Sequence, residues 1–296
     1  MMSEKLAGID HTVVGVDGRG AGWQALVWAV DDVARTGGRL TICHVHPVQV
    51  ITRPAGRLAT GPVPDEAGRA LLDRAMSIAG SRLCPSRIET VTAEGDIADE
   101  LVRLSKAARI TVVGNTLTGH LGAELFGSTT LRVLAQAHSP VVAVRRLPDR
   151  HGPFAGHVVV CVDGGHPASV TALRYGFAHA AAHDLPLAAV HAATDGWPGD
   201  FWMDDRLLEV NFAAPPAALN LLARAVEQVA PDYPDVPVKR AVVGGRTAAA
   251  LRRAGQSAAL LVVGDRGRGM VSRLLLGSVS RDVVTHAGIP VAVVRA

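Results

Sequence analysis

Gly264, Gly267, Gly277 and Ser278 follow one another with two and then nine residues between the glycines, directly behind the apolar run Leu260-Leu261-Val262-Val263. The run reads as a buried parallel strand. The glycines let the backbone turn and approach a ligand closely, and Gly277-Ser278 opens a helix whose N–H groups attract anions. Arg266 and Arg268 add cationic reach, and the hydroxyls of Ser278 and Ser280 read as donors to phosphate oxygens or as helix caps. The chemistry this set suits is the wrapping of a polyphosphate. It does not suit fast turnover: residues 264–278 contain no lysine, no second carboxylate is poised over the phosphates, and nothing matches a nucleophile elbow, a Walker lysine or a kinase set.

The pattern occurs twice. Val112-Val113-Gly114 and Gly127-Ser128-Thr129-Thr130 precede Val262-Val263-Gly264 and Gly277-Ser278-Val279-Ser280 by 150 residues. Gly95 and Leu101 match Gly245 and Leu251 at the same shift, while Val13–Gly18 matches Val159–Gly164 at a shift of 146. The chain is a tandem repeat of one domain, residues 1–149 and 153–296, joined by the proline-bounded linker Leu147–Pro153. In the first copy Leu117 stands where the second has Gly267, and Thr116 and Thr118 stand where it has Arg266 and Arg268. Leucine does not readily take positive φ and the cationic charge is gone, so the first site is expected to be the weaker.

Asp17 and Asp163 each end the first strand of their copy, at the carboxyl edge of the sheet where open α/β folds hold ligands. An Asx turn or helix cap is the alternative, because Asp followed by Gly is a common turn pair. His44 and His191 occupy equivalent strand positions and read as hydrogen-bonded core residues. His179 and His183, four apart on a helix, have the spacing of two imidazoles on one metal, but no glutamate follows the first as in a zincin; they are read as an exposed pair on an Ala-rich face, holding no metal.

Alternating strands and helices must position these residues. In the first copy Thr12–Val16, Leu40–Val45, Ile88–Ala93, Ile110–Val113 and Val141–Val144 read as strands. The helix between the first two carries Trp23, Leu26, Val27, Val30, Val33 and Ala34 at three- and four-residue spacing. A Pro- and Gly-rich loop through residues 47–64 leads to a helix bearing Leu71, Leu72, Ala75, Ile78 and Ala79; Ile97–Ala108 reads as another helix, and a further one begins near Ser128. The second copy repeats the order with Val158–Val162, a helix bearing Val170, Leu173, Phe177, Ala180 and Ala181, and Leu187–His191. Its residues 194–217 read as an excursion over the sheet edge. The fold class is α/β: two tandem doubly wound domains, each with a five-stranded parallel sheet flanked by helices. Val141–Val144 and Val291–Val294, each behind a proline, read as sheet-edge strands through which the domains pair within the chain.

Composition excludes other classes. With 296 residues, 48% of them apolar, each copy has enough for its own core. Cys43, Cys84 and Cys161, odd in number and scattered, read as small buried hydrophobes in a reducing compartment. The net charge of +3 comes from interspersed arginines and only 4% of residues are aromatic, so neither a nucleic-acid stripe nor a stacking platform is present. No signal-like N-terminus and no run approaching the roughly 20 apolar residues of a membrane span stand in the sequence, which points to the cytoplasm and no membrane partner.

On these motifs the chain resembles the nucleotide-binding subgroup of the universal stress protein family, in its tandem two-domain form. The resemblance implies an adenine-nucleotide alpha-hydrolase-like fold and an ATP ligand, with Mg²⁺ neutralising its phosphates. It implies a site of Val162, Asp163, Ala192, Val263, Gly264, Arg266, Gly267, Gly277, Ser278, Val279 and Ser280 in the second copy. In the first copy it implies Val16, Asp17, Val45, Val113, Gly114, Gly127, Ser128, Thr129 and Thr130. By the same resemblance the aspartates are expected to contact the nucleoside, and the backbone of Val45 and Ala192 to meet the adenine edge. Intramolecular pairing of the domains, a further homodimer and a protein partner follow from the same resemblance. The expected function is a stress-response protein in which ATP occupancy alters conformation or partner choice; a slow ATP hydrolase and a nucleotide-free dimerising scaffold stay open beside it.

Overall fold

Runs of valine and leucine buried on both faces can form only a parallel sheet covered by helices on either side, and such runs recur through the computed structural model. It describes residues 11–46, 50–52, 58–60, 66–115, 117–118, 125–126, 128–146, 152–163, 167–193, 200–204, 215–265 and 276–295. By their contacts the residues fall into two units, Met1–Ser139 and Pro140–Ala296.

The first unit runs β1 (His11–Gly15), α1 (Gly20–Thr36), β2 (Arg39–His46), α2 (Glu66–Gly80), β3 (Ile88–Glu94), α3 (Ile97–Leu104), β4 (Ile110–Gly114) and α4 (Ser128–Gln136). Its strands lie in the order β3–β2–β1–β4, each pair parallel. Val13, Val14, Leu40, Ile42, Ile110 and Val112 are wholly buried, so both sheet faces are covered. Helix α1 ends at Gly37, whose left-handed φ of 83° lets its N–H cap the Val33 carbonyl. Helix α3 starts under Asp96, which accepts the N–H groups of Ala98 and Asp99. It stops at Leu104, short of the expected Ala108, because the chain turns there to bring the Arg109 N–H to the His11 carbonyl at 2.7 Å.

The second unit holds β5 (Val141–Val144), β6 (Val158–Cys161), α5 (Pro167–His183), β7 (Leu187–Ala193), β8 (Asp200–Asp204), α6 (Pro216–Glu227), β9 (Val238–Gly244), α7 (Thr247–Gly255), β10 (Leu260–Gly264), α8 (Ser278–His286) and β11 (Val291–Val294). Its strand order is β8–β9–β7–β6–β10–β11–β5. The inner five are parallel, and β8 and β5 run antiparallel at the two ends of that series. Strand β5, read from the sequence as the last of the first copy, falls within this unit and pairs with β11, Val142 opposite Ala292. Part of the expected excursion, residues 200–204, is strand β8, which satisfies the outer edge of β9.

Two further expectations change. Cys84 is exposed rather than buried, at the entrance to a short 3₁₀ turn, while Cys43 lies buried in β2, where burial pushes its thiol up to about 12. His179 is 7% exposed, on the inward side of α5; it stacks on His183 with ring centroids 3.9 Å apart, instead of lying on an exposed face. No helix among the described residues is long and apolar enough to cross a membrane.

Candidate functional site

In both units the order of the repeat's strands is third, second, first, fourth, and the chain reverses direction of winding between the first and fourth. The crevice outside the carboxyl ends of that pair is where doubly wound sheets accept ligands. Asp17 and Gly114 stand at this place in the first unit, after β1 and at the end of β4; Asp163 and Gly264 stand there in the second, after β6 and at the end of β10.

The first glycine of each motif is explained by packing. A Cβ on Gly114 would lie 2.8 Å from the backbone of Ala21 and Gly22, because the start of α1 rests on the end of β4. At Gly264 a Cβ would lie 3.2 Å from Ala168 Cβ, a tight contact on the start of α5. Asp17 takes up the turn predicted as the alternative: its Oδ1 accepts the Arg19 N–H at 3.0 Å, an Asx turn that folds the carboxylate back over the first turn of α1. In the second unit a different device serves. The Ser169 hydroxyl accepts the Asp163 N–H at 2.9 Å, so Ser169 anchors the aspartate through its main chain. Nothing in the sequence had marked it.

Helix α8 starts at Gly277, buried, with no side-chain cap and an ordinary φ of −57°. Glycine is therefore not required there by backbone conformation. Its N–H donates to the Asp265 carbonyl at 2.9 Å, and the Asp265 N–H donates to Val294 on β11 at 2.8 Å. Asp265 thus ties the end of β10 to both β11 and α8. Its carboxylate is 3% exposed and lies 3.8 Å from the Arg295 guanidinium. The first-copy counterpart, Asn115, is also buried. Sequence reasoning passed over both, although each directly follows a motif glycine.

The Ser280 hydroxyl, read from the sequence as a phosphate donor or a helix cap, is spent otherwise inside the protein: it donates to the Gly264 carbonyl at 2.6 Å, and Thr130 does the same to Gly114 at 3.1 Å. A hydroxyl has one proton, so neither side chain has a second to donate to phosphate. What remains at this end of α8 are the main-chain N–H groups of Ser278, Val279 and Ser280, which have no partner within the helix. Ser278 is exposed and Val279 half-buried; Thr129 in the first unit is half-buried, and Ser128 opens α4.

Val113 and Val263 are buried one residue before the motif glycines, and Val16 and Val162 are buried just before the aspartates. Val45 and Ala192 lie half-buried near the ends of β2 and β7. Arg266, Arg268, Gly267, Thr116 and Gly127 lie outside the described residues, as do residues 147–151 of the linker. Leu117 is described, and it corrects an expectation: with Thr118 it forms an extended pair opposite Leu125 and Phe126, so it is not held in the left-handed region.

The His44 and His191 rings are hydrogen-bonded as expected, but half-buried rather than in the core. His44 Nδ1–H donates to the Val16 carbonyl at 3.0 Å and His191 Nδ1–H to the Val162 carbonyl at 2.8 Å. Cys161, next to Val162, is so desolvated that burial pushes its thiol far above the ordinary range.

Comparison with known proteins agrees with this arrangement. The model of the universal stress protein family matches residues 8–145 and 155–295. Universal stress protein Rv2005c of Mycobacterium tuberculosis is 33% identical over 297 residues, spanning 96% of this chain and 96% of that protein. A universal stress protein of Mycolicibacterium smegmatis is 31% identical over 292 residues, again spanning 96% of each. Among solved structures, a universal stress protein from Archaeoglobus fulgidus has a TM-score of 0.68 at 17% identity, covering 97% of this chain and 99% of that one, a likeness of fold.

Proposed function

The chain belongs to the universal stress protein family, and from that premise we propose that its second copy binds an adenine nucleotide, ATP in the first place, and that occupancy alters conformation or partner choice instead of feeding a reaction. The observation that carries the reading is the start of α8. A buried, uncapped glycine stands at the topological switch point, pinned by its N–H to Asp265, with three first-turn N–H groups after it. Such a helix start attracts anions through its aligned dipoles and unsatisfied donors. Asp163 and Ala192 lie on the other side of the crevice, where the nucleoside rests, and the triphosphate runs from Gly264 at the end of β10 onto Ser278–Ser280. Mg²⁺ arrives on the phosphates and lowers their charge. The first copy offers the same frame without the arginines and binds more weakly. The protein works in the cytoplasm, with a protein partner and a second copy of itself as its associates.

The test is direct. The full-length protein, purified and then denatured, is to be analysed for released nucleotide by mass spectrometry, and the nucleotide-free protein titrated with ATP and AMP by calorimetry. Recovery of adenine nucleotide, and loss of tight ATP binding in Gly277→Val, support the reading. A nucleotide-free preparation that also fails to bind added ATP or AMP leaves the dimerising scaffold as the better account.

A further inference from the structure

In a regular parallel ladder the N–H and C=O of one residue bond to two residues, two apart, on the neighbouring strand. The pairing of β6 with β7 is regular as far as Cys161 opposite Val190, and the Val162 N–H then donates to the Val190 carbonyl at 2.8 Å. The next rung would bring the Ala192 N–H to the Val162 carbonyl. That rung is missing, and the carbonyl instead accepts Nδ1–H of His191 at 2.8 Å. The first unit repeats the substitution. Val16 donates to Cys43 at 2.9 Å, the ladder ends at Gly15 opposite Cys43, and His44 Nδ1–H takes the Val16 carbonyl that Val45 would have reached. The neighbouring residues differ between the copies, Gly15 against Cys161 and Cys43 against Val190, yet the histidine does the same thing in both.

The side chain has taken over the partner of a main-chain donor. Among the described residues the Ala192 N–H and the Val45 N–H make no hydrogen bond, while each is half-buried at the lip of the crevice. Main-chain N–H and C=O of one strand residue point the same way, so Ala192 presents a donor and an acceptor side by side. We infer that His44 and His191 are specificity-determining positioning residues: by occupying the Val16 and Val162 carbonyls they release the N–H of Val45 and Ala192 to donate to a ring nitrogen of a nucleobase. The base that fits has an acceptor ring nitrogen beside an exocyclic amine, as adenine has. The inference rests on the nucleotide reading for its ligand, but the released N–H is a property of the protein alone.

Both parts are tested in the full-length chain. In the ligand-free wild type the Ala192 amide exchanges with solvent; in His191→Phe the vacated Val162 carbonyl takes it, and amide exchange measured by NMR slows at least tenfold. His191→Asn, whose side-chain amide nitrogen falls where Nδ1 was, keeps the wild-type exchange. Toward ligands, the wild type prefers ATP to inosine triphosphate, which carries N–H in place of the ring lone pair. The Phe variant loses about tenfold in ATP affinity and most of this preference, the Asn variant recovers both, and binding of inorganic tripolyphosphate is the same in all three. Should the Phe variant not fold, His191→Gln, with its amide one bond too far out, is expected to behave as described for Phe. Slow exchange of Ala192 in the wild type, unchanged exchange in the Phe or Gln variant, or equal losses for ATP and tripolyphosphate overturn the inference. Wild-type protein that shows the exchange pattern but binds no nucleotide overturns the nucleotide reading and the assignment of the base, leaving the ladder substitution intact.

Discussion

The Ser280 hydroxyl donates to the Gly264 carbonyl at 2.6 Å, locking the first turn of α8 to the last residue of β10. Thr130 and Gly114 make the same bond in the first unit at 3.1 Å. The hydroxyl therefore sets the height of the helix start over the strand end. Ser280→Ala leaves a carbonyl without its partner and is expected to cost about 1–2 kcal/mol of stability, measured by urea unfolding, and to weaken ATP binding by shifting the donors of residues 278–280. Ser280→Thr, the residue that the first copy uses, keeps both within error.

Glycine spacing, strand alternation and the 150-residue offset are local or periodic signals; the fold was legible from them, and they pointed to the strand ends that frame the candidate site. The reasons behind single residues were not, because they depend on what comes near from elsewhere. Gly114 looked like a ligand-approach glycine and is needed by the backbone of α1. Ser280 looked like a phosphate ligand and faces a carbonyl sixteen residues away. His191 was rightly read as hydrogen-bonded, but that its bond displaces a ladder rung with a residue 29 positions earlier is visible only in the strand register.

The extended Leu117 revises the expected basis of asymmetry between the two copies. Strain in a left-handed leucine plays no part, since residues 117–118 pair with 125–126. What separates the copies is charge, with Thr116 and Thr118 in place of Arg266 and Arg268. Loss of one charged hydrogen bond to phosphate is worth about 1.5–3 kcal/mol, so the affinities are expected to differ at least tenfold. Calorimetry on the full chain resolves this: Gly277→Val removes the tight phase and Gly127→Val leaves it. The opposite pattern reverses the ranking of the sites.

Hydrolysis is expected to be slow. No side chain in the described part of either crevice is placed as a general base by the motif, and the hydroxyls of Ser280 and Thr130 are committed to carbonyls. Turnover is expected well below the ~1–10³ s⁻¹ of ordinary enzymes. A steady-state rate near ~1 s⁻¹ that vanishes in Gly277→Val identifies an ATP hydrolase instead.

The three thiols are expected to separate by reactivity. Cys84 is exposed, and its hydrogen bond with Ser86 at 3.2 Å, the leading cause, holds its thiol below the usual range, with Arg87 acting in the same direction. Burial drives Cys43 and Cys161 the other way. Because the thiolate is the reactive form, alkylation of the native protein followed by peptide mass spectrometry is expected to label Cys84 first. Its rate rises with pH at values where an ordinary thiol is still protonated. Cys43 reacts only after unfolding. Equal labelling of Cys43 and Cys84 near neutral pH contradicts this order.

Asp32 sits wholly buried on the inward face of α1, where the Arg109 guanidinium donates to it and Thr12 does so at 3.3 Å. The second copy has Val158, Ala178 and Ala259 at the matching places, an apolar version of the same contact. An ion pair taken out of water loses much of its attraction to desolvation, yet removing one partner strands the other charge. Arg109→Met or Asp32→Ala is therefore expected to cost about 3–5 kcal/mol. The triple replacement Thr12→Val, Asp32→Ala, Arg109→Ala, copying the second repeat, removes both charges together and is expected to recover most of that loss. Chemical denaturation of the single and triple variants decides it. A triple variant less stable than either single one shows that the pair contributes more than it costs, and that the apolar solution of the second copy depends on packing the first does not share.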